Sequence, residues 1–402
     1  MAIVKAAVPA ISGGTPIRRE YLVFGRPFIG DEEVADVIEV LRSGWLGTGP
    51  RAARFEEAFA RYVGARVAVA VSSCTAALHL SLLASGVGPG DEVVVPSMTF
   101  VASANSVIHV GATPVLCDVD LGTQNMRPED VERALTPRTR AVMPVHFAGR
   151  SVDMSSLRAL TDARGLAIIS DAAHAIETTH RGLSLPAYAP LTAYSFYPTK
   201  NLTTGEGGMV VTNDLALADR VRRLRLHGLS ADAWKRFSDD GFKHYEAVEP
   251  GYKYNLTDLQ AAIGLRQLER IEAAAERRRA VWARYLDAFG ELPMDLPAAA
   301  EPGDRHALHL FTVLLRLDAL RVDRDAVAQA LHLEGIGTGV HYRAVHLHAY
   351  YRERFRWSVE SLPNADAISA RTLSLPCSAA LSDADVTDVI EGVCRVMSYY
   401  RR

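Results

Sequence analysis

The sequence predicts an α/β protein, a large domain on a mostly parallel sheet followed by a smaller α+β domain. Three observations predict it. The chain has 402 residues, 49% of them hydrophobic, enough for a well-buried core and two domains. From Arg66 onward, short β-rich runs alternate with helical patterns. After Asn255 that rhythm gives way to long amphipathic stretches. The expected division is an N-terminal segment over 1–29, a large domain over 30–265 and a small C-terminal domain over 266–402.

The alternation opens with VAVAV, ending at Val71, and the helical TAALHLSLLA. EVVVP, ending at Pro96, precedes FVASANSVIHV, and TPVLCDV precedes RPEDVERAL. AVMPVHF, the helical DMSSLRALTDARG and the apolar strand LAIIS follow, the last stopping directly before Asp171. Helical crossovers make such strands parallel, and ligands gather beyond their carboxyl ends. TDLQ reads as a capping box, and ERIEAAAERRRAVWARYLDAF as one long amphipathic helix. Residues 291–304, ELPMDLPAAAEPGD, read as a loop inside the smaller domain. LFTVLLRL is a strand candidate, and RDAVAQALHLEG and DADVTDVIEGVCRVM are helix candidates.

Lys and Arg total 44 against 47 Asp and Glu, a formal charge of −3, so no general positive excess draws the chain to nucleic acid or membrane. Cys74, Cys117, Cys377 and Cys394 form no Cys-x-x-Cys pair and are too sparse for a secreted disulfide scaffold, which points to a reducing cytoplasm. The amino terminus, MAIVKAAVPAISGG, lacks an export pattern, and no apolar run is of membrane-spanning length.

Asp171, at the end of an apolar strand, is costly to bury without a cation. A protonated pyridine nitrogen is one partner; a helix cap or an ordinary ion pair is the plainer reading. Lys200 lies in SFYPTKNLTTGEGG, where partial desolvation would free a neutral amine for Schiff-base chemistry. Taken alone it reads equally as a surface lysine. Ser195 and the run Ser72-Ser73-Cys74-Thr75 offer hydroxyls and backbone amides to a phosphate, or simply cap helices. Phe100 and His174 suit a planar heterocycle or core packing. His341, His346 and His348, like His306 and His309, match no metal-ligand spacing, so no metal is expected. No G-x-G-x-x-G follows the first strand, and GEGG at Gly205 to Gly208 lacks the P-loop lysine.

In order, SSCTAALHL, PSMTFVASAN, DAAHA, SFYPTKNLTTGEGGMVVTND and GYKYNLTDLQAAIG resemble the motif set of the DegT/StrS-type sugar aminotransferases. The resemblance runs from SGGTPIR and SGWLGTGP to IGTGVHYRAVHLHAYYRERF and SLPNADAISARTLSLP. It implies the aspartate aminotransferase fold, pyridoxal-phosphate (PLP) fold type I, with pyridoxamine phosphate (PMP) as the intermediate cofactor form. It also implies that Lys200 forms the internal aldimine, Asp171 pairs with the pyridine nitrogen, and Phe100 stacks on the ring near His174. Ser73, Cys74, Thr75 and Ser195 would surround the phosphate.

The same resemblance implies a homodimer with shared active sites, Lys253 and Asn255 reaching the cofactor or substrate phosphates from the neighbouring subunit. Trp45, Gly47, Thr48, His341, Tyr342 and Arg343 would lie near the nucleotide sugar. Cys74 departs from a common glycine, His174 from a frequent glutamine, and Lys253 with Asn255 from Asn and Arg. GYKYNLTD, HGL at His227 to Leu229 and IGTGVHYRA are more similar to the enzymes of UDP-4-keto-pentoses, such as the aminoarabinose aminotransferase. The implied reaction is transfer of an amino group from L-glutamate to a nucleotide-linked 4-keto sugar. A 3-keto sugar, or a regulatory role on the same fold, is the rival. Related sugar 3-dehydratases replace the lysine with histidine, so Lys200 argues against that chemistry.

Overall fold

The computed structural model describes residues 8–230, 246–357 and 359–402, so the first seven residues of the expected N-terminal segment lie outside it. Helices α1 (Asp31–Ser43) and α2 (Pro50–Tyr62) lead into strand β1 (Val67–Val71) and α3 (Cys74–Ala84). The alternation continues with β2 (Glu92–Pro96), α4 (Val101–His109), β3 (Thr113–Cys117), α5 (Pro128–Ala134), β4 (Thr139–Val142), α6 (Met154–Asp162) and β5 (Ala167–Asp171). The small hairpin of β6 (Thr179–His180) and β7 (Leu183–Ser184) precedes β8 (Leu191–Ser195) and β9 (Gly208–Thr212). Helices α7 (Leu215–Leu224) and α8 (Asp258–Glu269) complete this part.

Seven of these strands form one sheet in the order β1-β9-β8-β5-β4-β2-β3. Every residue of β2, β8 and β9 is buried, the reason these strands read as continuous apolar runs. One core lies on the α3 and α4 side, with Leu78, Leu80 and Val107; another lies on the α2 and α6 side, with Phe55, Phe59 and Leu157. The pairs among β3, β2, β4, β5 and β8 are parallel, whereas β9 runs antiparallel to both β8 and β1. No helix separates β8 from β9, so the chain turns straight back on itself.

Two local expectations are corrected. The strand expected to stop before Asp171 includes it, because Asp171 N–H donates to Pro144 and the ladder pairs Asp171 with Ala193. The loop over 291–304 contains a short strand, β10 (Met294–Asp295). The long amphipathic helix expected over ERIEAAAERRRAVWARYLDAF is present as α9 (Ile271–Phe289), set off from α8 by Arg270, which leaves helical geometry while its guanidinium pairs with buried Glu33 of α1. The expected capping box is present: Thr257 Oγ1 accepts from Gln260 N–H and Gln260 Oε1 from Thr257 N–H, at 3.4 and 3.0 Å.

Beyond α9, β10, β11 (Phe311–Leu315) and β12 (Thr372–Leu375) form an antiparallel three-stranded sheet. Helices α10 (Arg324–Leu333) and α13 (Asp383–Tyr400) accompany it, around a core that includes Tyr285, Phe311 and Val389, whereas α11 (Ala349–Phe355) and α12 (Pro363–Arg371) bury Tyr351, Ala365 and Ile368 in the core on the α3 and α4 side. The stretch before α1 lies against this part: Leu22 bridges Ile336, and Glu334 accepts from the N–H groups of Ala10 and Ile17.

Gly49, before α2, has no side chain to cap that helix; buried Asp258 does so instead. Its carboxylate accepts from the N–H groups of Gly49, Arg51 and Ala52 at 2.8, 3.1 and 2.9 Å. Asp258→Ala leaves those donors unpaired and is expected to cost about 2 kcal/mol, read as a lower urea midpoint with unchanged slope.

Candidate active site

The sheet register sets the site. Val71 and Ser195 each pair with Gly208, which puts the end of β1 and the end of β8 at one level. Strands β1, β2, β5 and β8 point the same way, so Ser72-Ser73, Phe100, Asp171 and Ser195 all lie at or just past one sheet edge. Helix α3 begins there. Ser73 Oγ accepts from Ala76 N–H at 3.1 Å, while the first helical N–H groups, of Cys74 and Thr75, have no intrahelical acceptor. They form an anion-accepting end. A Cβ on Gly208 would stand 2.5 Å from the Ser73 carbonyl carbon and 2.6 Å from Cys74 N, so only glycine lets β9 pass this close.

Asp171 is buried beneath this edge. Ser103 Oγ, from the first turn of α4, donates to Oδ2 at 2.7 Å, and Ala173 N–H donates to Oδ1 at 3.2 Å. Among the described residues no ion pair reaches it. Burial pushes its pKa up against the opposing pull of Ser103, Ala173 N–H and Lys200, and burial wins. The carboxylate is therefore short of a cation, which a protonated ring nitrogen would supply.

Lys200 follows β8 in a tight turn, its N–H donating to the Tyr197 carbonyl at 2.9 Å. Burial drives its amine down to about 8, opposed by nearby Cys74 and Asp171. Cys74 is held well above its ordinary value by burial and then by Asp171, so its thiol stays neutral. Phe100, just before α4, is 57% exposed and so offers its ring to a planar group. Ser195 Oγ accepts from Tyr197 N–H at a long 3.4 Å and retains its proton for a further acceptor. A half-buried amine, a buried carboxylate, an open aromatic face and an anion-accepting helix end thus fit the aldehyde, ring nitrogen, ring and phosphate of the implied cofactor.

A wall of neutral imidazoles closes one side. His174 Nδ1 accepts from Ala148 N–H at 3.2 Å and its Nε2 lies 3.0 Å from Tyr342 Oη. Its ring centroid is 4.5 Å from that of His309. His341 Nδ1 is 2.9 Å from Ser374 Oγ. Burial first, then Lys200, holds all three histidines below their ordinary values, His341 at about 3. Tyr342 lies 5.9 Å from Phe100 by ring centroids.

The other expected residues form a neighbouring group. Trp45 Nε1 donates to the Thr48 carbonyl at 3.2 Å, Thr48 Oγ1 to Leu256 at 2.6 Å, and Asn255 Nδ2 to Thr48 Oγ1 at 2.6 Å. The Gly47 carbonyl accepts from Asp258 N–H, and Ser72 N–H donates to the Tyr254 carbonyl, so the group abuts the α3 loop of the same chain. Lys253 is exposed. Among the described residues, no hydrogen bond or ion pair joins Lys253 or Asn255 to Lys200, Asp171, Ser73 or Ser195. Arg343 is exposed and donates to the Leu347 carbonyl at 3.1 Å. Among the described residues, no three His, Cys, Asp or Glu side chains are arranged to hold a metal.

Sequence reasoning passed over Ser103, Asn201 and Glu177, and weighed His309 only as a metal ligand. Ser103 had a local signal, lying three residues past Phe100 and so one helical turn on. The others come together only through tertiary packing.

Lys200 is one of five lysines, so acylation of the cofactor-free protein can be followed peptide by peptide. A lowered lysine pKa leaves the amine neutral above it, so Lys200 labelling is expected to rise with pH to a midpoint of about 8. Asp171→Asn, which removes a charge that retains the proton, is expected to move that midpoint lower. A midpoint at the ordinary lysine value would contradict a desolvated amine.

Over residues 27–394 the chain matches the DegT/DnrJ/EryC1/StrS aminotransferase family. It is 48% identical over 377 residues to the spore coat polysaccharide biosynthesis protein SpsC of Bacillus subtilis strain 168, covering 94% of this chain and 97% of that protein. Spr1654 from Streptococcus pneumoniae, solved in its PMP form, matches with a TM-score of 0.89 at 32% identity, over 94% of this chain and 99% of that one; a PLP form of the same protein gives 0.88. Helicobacter pylori PseC, an aminotransferase involved in the biosynthesis of pseudoaminic acid, gives 0.87 at 27% identity, over 95% and 100%. These likenesses agree with the resemblance carried by the motifs and with the aspartate aminotransferase-like architecture. The chain belongs to the DegT/DnrJ/EryC1/StrS family of pyridoxal-phosphate-dependent sugar aminotransferases.

Proposed function

We propose that this chain transfers an amino group from L-glutamate to the C4 ketone of a nucleotide-linked sugar, in a homodimer with shared active sites. The observation that carries the reading is the desolvated Lys200 amine beside the buried Asp171 carboxylate, level with the open amino end of α3. Pyridoxal phosphate, when bound, supplies an electron-withdrawing ring and a carbonyl carbon that accepts and passes on the amino group. Lys200 Nζ would be the attachment point and, once released, would carry the proton between the donor's α-carbon and the cofactor's former aldehyde carbon, on the far side of the shared nitrogen. Asp171 keeps the ring nitrogen protonated, Phe100 covers one ring face and His174 borders it. Ser73, Cys74, Thr75 and Ser195 receive the phosphate.

For the acceptor, GYKYNLTD, HGL and IGTGVHYRA support a 4-keto-pentose on UDP, and the names of SpsC and PseC support a sugar. Trp45, Gly47, Thr48, His341, Tyr342 and Arg343 are the proposed contacts, Arg343 offering an exposed guanidinium to a diphosphate. The dimer is supported by an apolar row on α1, Val34, Ile38 and Leu41, exposed among the described residues and continuing to Trp45 and Leu46. Lys253 and Asn255 are proposed to enter the partner's site. No helix among the described residues is long and apolar enough to cross a membrane. The cytoplasm is the proposed location.

Incubating the holoenzyme with glutamate and UDP- or dTDP-linked 3-keto and 4-keto sugars should give a 4-amino sugar, identified by mass and NMR. Product from 3-keto sugars alone would overturn the C4 assignment. Asp171→Asn should lower kcat/KM at least about 100-fold, the scale of a lost electrostatic contribution, and Lys200→Ala should abolish the borohydride-trapped adduct.

Sharing of the sites predicts complementation. Mixed dimers of Lys200→Ala and Lys253→Ala subunits should regain activity that neither parent has, because one site in each hybrid is intact. Hybrids as inactive as their parents would place Lys253 in its own chain's site.

A further inference from the structure

Asn201, next to Lys200 in the chain, is held from three sides. Its Nδ2 donates to Glu177 Oε1 and Oε2 at 3.2 and 3.0 Å and to the Ala307 carbonyl at 2.9 Å. Its Oδ1 lies 3.1 Å from His309 Nδ1. A carboxylate and a carbonyl only accept, so the amide nitrogen must face them and the amide oxygen must face His309. That oxygen also only accepts, so His309 Nδ1 carries the proton. Glu177 cannot relax this demand, because both it and its ion-pair partner Arg278, from α9, are buried. A neutral imidazole has a single N–H, and burial, reinforced by Lys200, keeps His309 neutral.

His309 Nε2 is therefore a bare lone pair. It has no hydrogen-bond partner among the described residues, yet it is not one of the polar atoms sealed off without a partner. The adjoining ring shows the opposite arrangement. His174 Nδ1 accepts from Ala148 N–H, so its proton sits on Nε2 and is donated to Tyr342. Tyr342 thereby keeps its own O–H for another acceptor.

We propose that the buried Glu177–Arg278 pair is a positioning device for this site: through Asn201 it fixes His309 as the Nδ1–H tautomer, so that Nε2 accepts a hydrogen bond from a hydroxyl of the bound sugar. The proton on Nδ1 follows from the hydrogen-bond geometry and the bare Nε2 from the burial that keeps the ring neutral; the identity of the donor rests on the sugar-aminotransferase reading above.

The test uses the holoenzyme labelled with ¹⁵N-histidine, with His309 assigned by its loss in His309→Gln. Long-range ¹H–¹⁵N spectra should show His309 protonated at Nδ1 and bare at Nε2. Two variants release the constraint. Glu177→Gln with Arg278→Gln removes both buried charges together, and Asn201→Ala leaves the pair intact but deletes the amide, so one remains informative if the other folds poorly. In Asn201→Ala, His309 should become a mixture of tautomers and KM for the keto sugar should rise roughly fivefold with kcat little changed, the cost of one hydrogen bond; the double variant, in which the Ala307 carbonyl still accepts from Asn201, should shift both in the same direction by less. A wild-type His309 protonated at Nε2, or a tautomer unmoved in both variants, overturns the positioning role. A shifted tautomer with unchanged KM overturns the acceptor role. Failure to turn over any keto sugar would sink the substrate reading, while the spectra still decide the tautomer.

Discussion

A carboxylate buried at the end of a central strand is the constraint on which the rest of the site depends. Stripping Asp171 of water costs several kcal/mol, and the two hydrogen bonds from Ser103 and Ala173 offset only part of it. The remainder must come from positive charge nearby. Strand order meets that need: β5 lies between β4 and β8, so the segment leaving β8 carries Lys200 past the end of Asp171's own strand. The same burial that raises the carboxylate lowers the amine. Each is pushed toward its neutral form and only partly held back by the other, so the two groups do not satisfy each other.

The imidazole wall shows why the second part of the chain matters to chemistry seated on the first sheet. His309, Tyr342 and Arg278 all follow the change of pattern at Asn255, yet their partners Asn201, His174 and Glu177 belong to the strand-and-helix alternation before it. Packing the two parts together removes water from three histidines and keeps them neutral. Neutral imidazoles near Lys200 do not compete with the lysine for its proton, and they offer donors and acceptors in directions fixed by tautomer.

What could be read from sequence was whatever has a short period or a short span. Strands such as EVVVP show as apolar runs because both faces are covered, and Thr257 with Gln260 announces a helix start because the capping box closes within four residues. Lys200 itself was undistinguished; it drew meaning from Asp171, Ser195 and the Ser73-Cys74-Thr75 loop at their ordered places. The contacts that stayed hidden are those with no fixed sequence separation. Glu177 and Arg278 stand 101 residues apart, and Asn201 and His309 stand 108 apart. The reversal of β9 was hidden for a different reason: it depends on the absence of a crossover helix between Ser195 and Gly208, and apolar patterning carries no strand direction.

Two of the three departures from the family pattern, at Cys74 and His174, are tolerable for one physical reason. Cys74, in place of a common glycine, adds bulk at the amino end of α3 but no charge, because burial and Asp171 keep its thiol protonated. An ionised thiolate there would repel the phosphate that the helix end attracts. His174, in place of a frequent glutamine, is neutral by burial and has its tautomer set by Ala148 N–H. It then presents one acceptor and one donor, as a side-chain amide does. Both substitutions change shape while leaving the charge pattern around Lys200 and Asp171 intact, and that pattern is what the chemistry of this edge of the sheet requires.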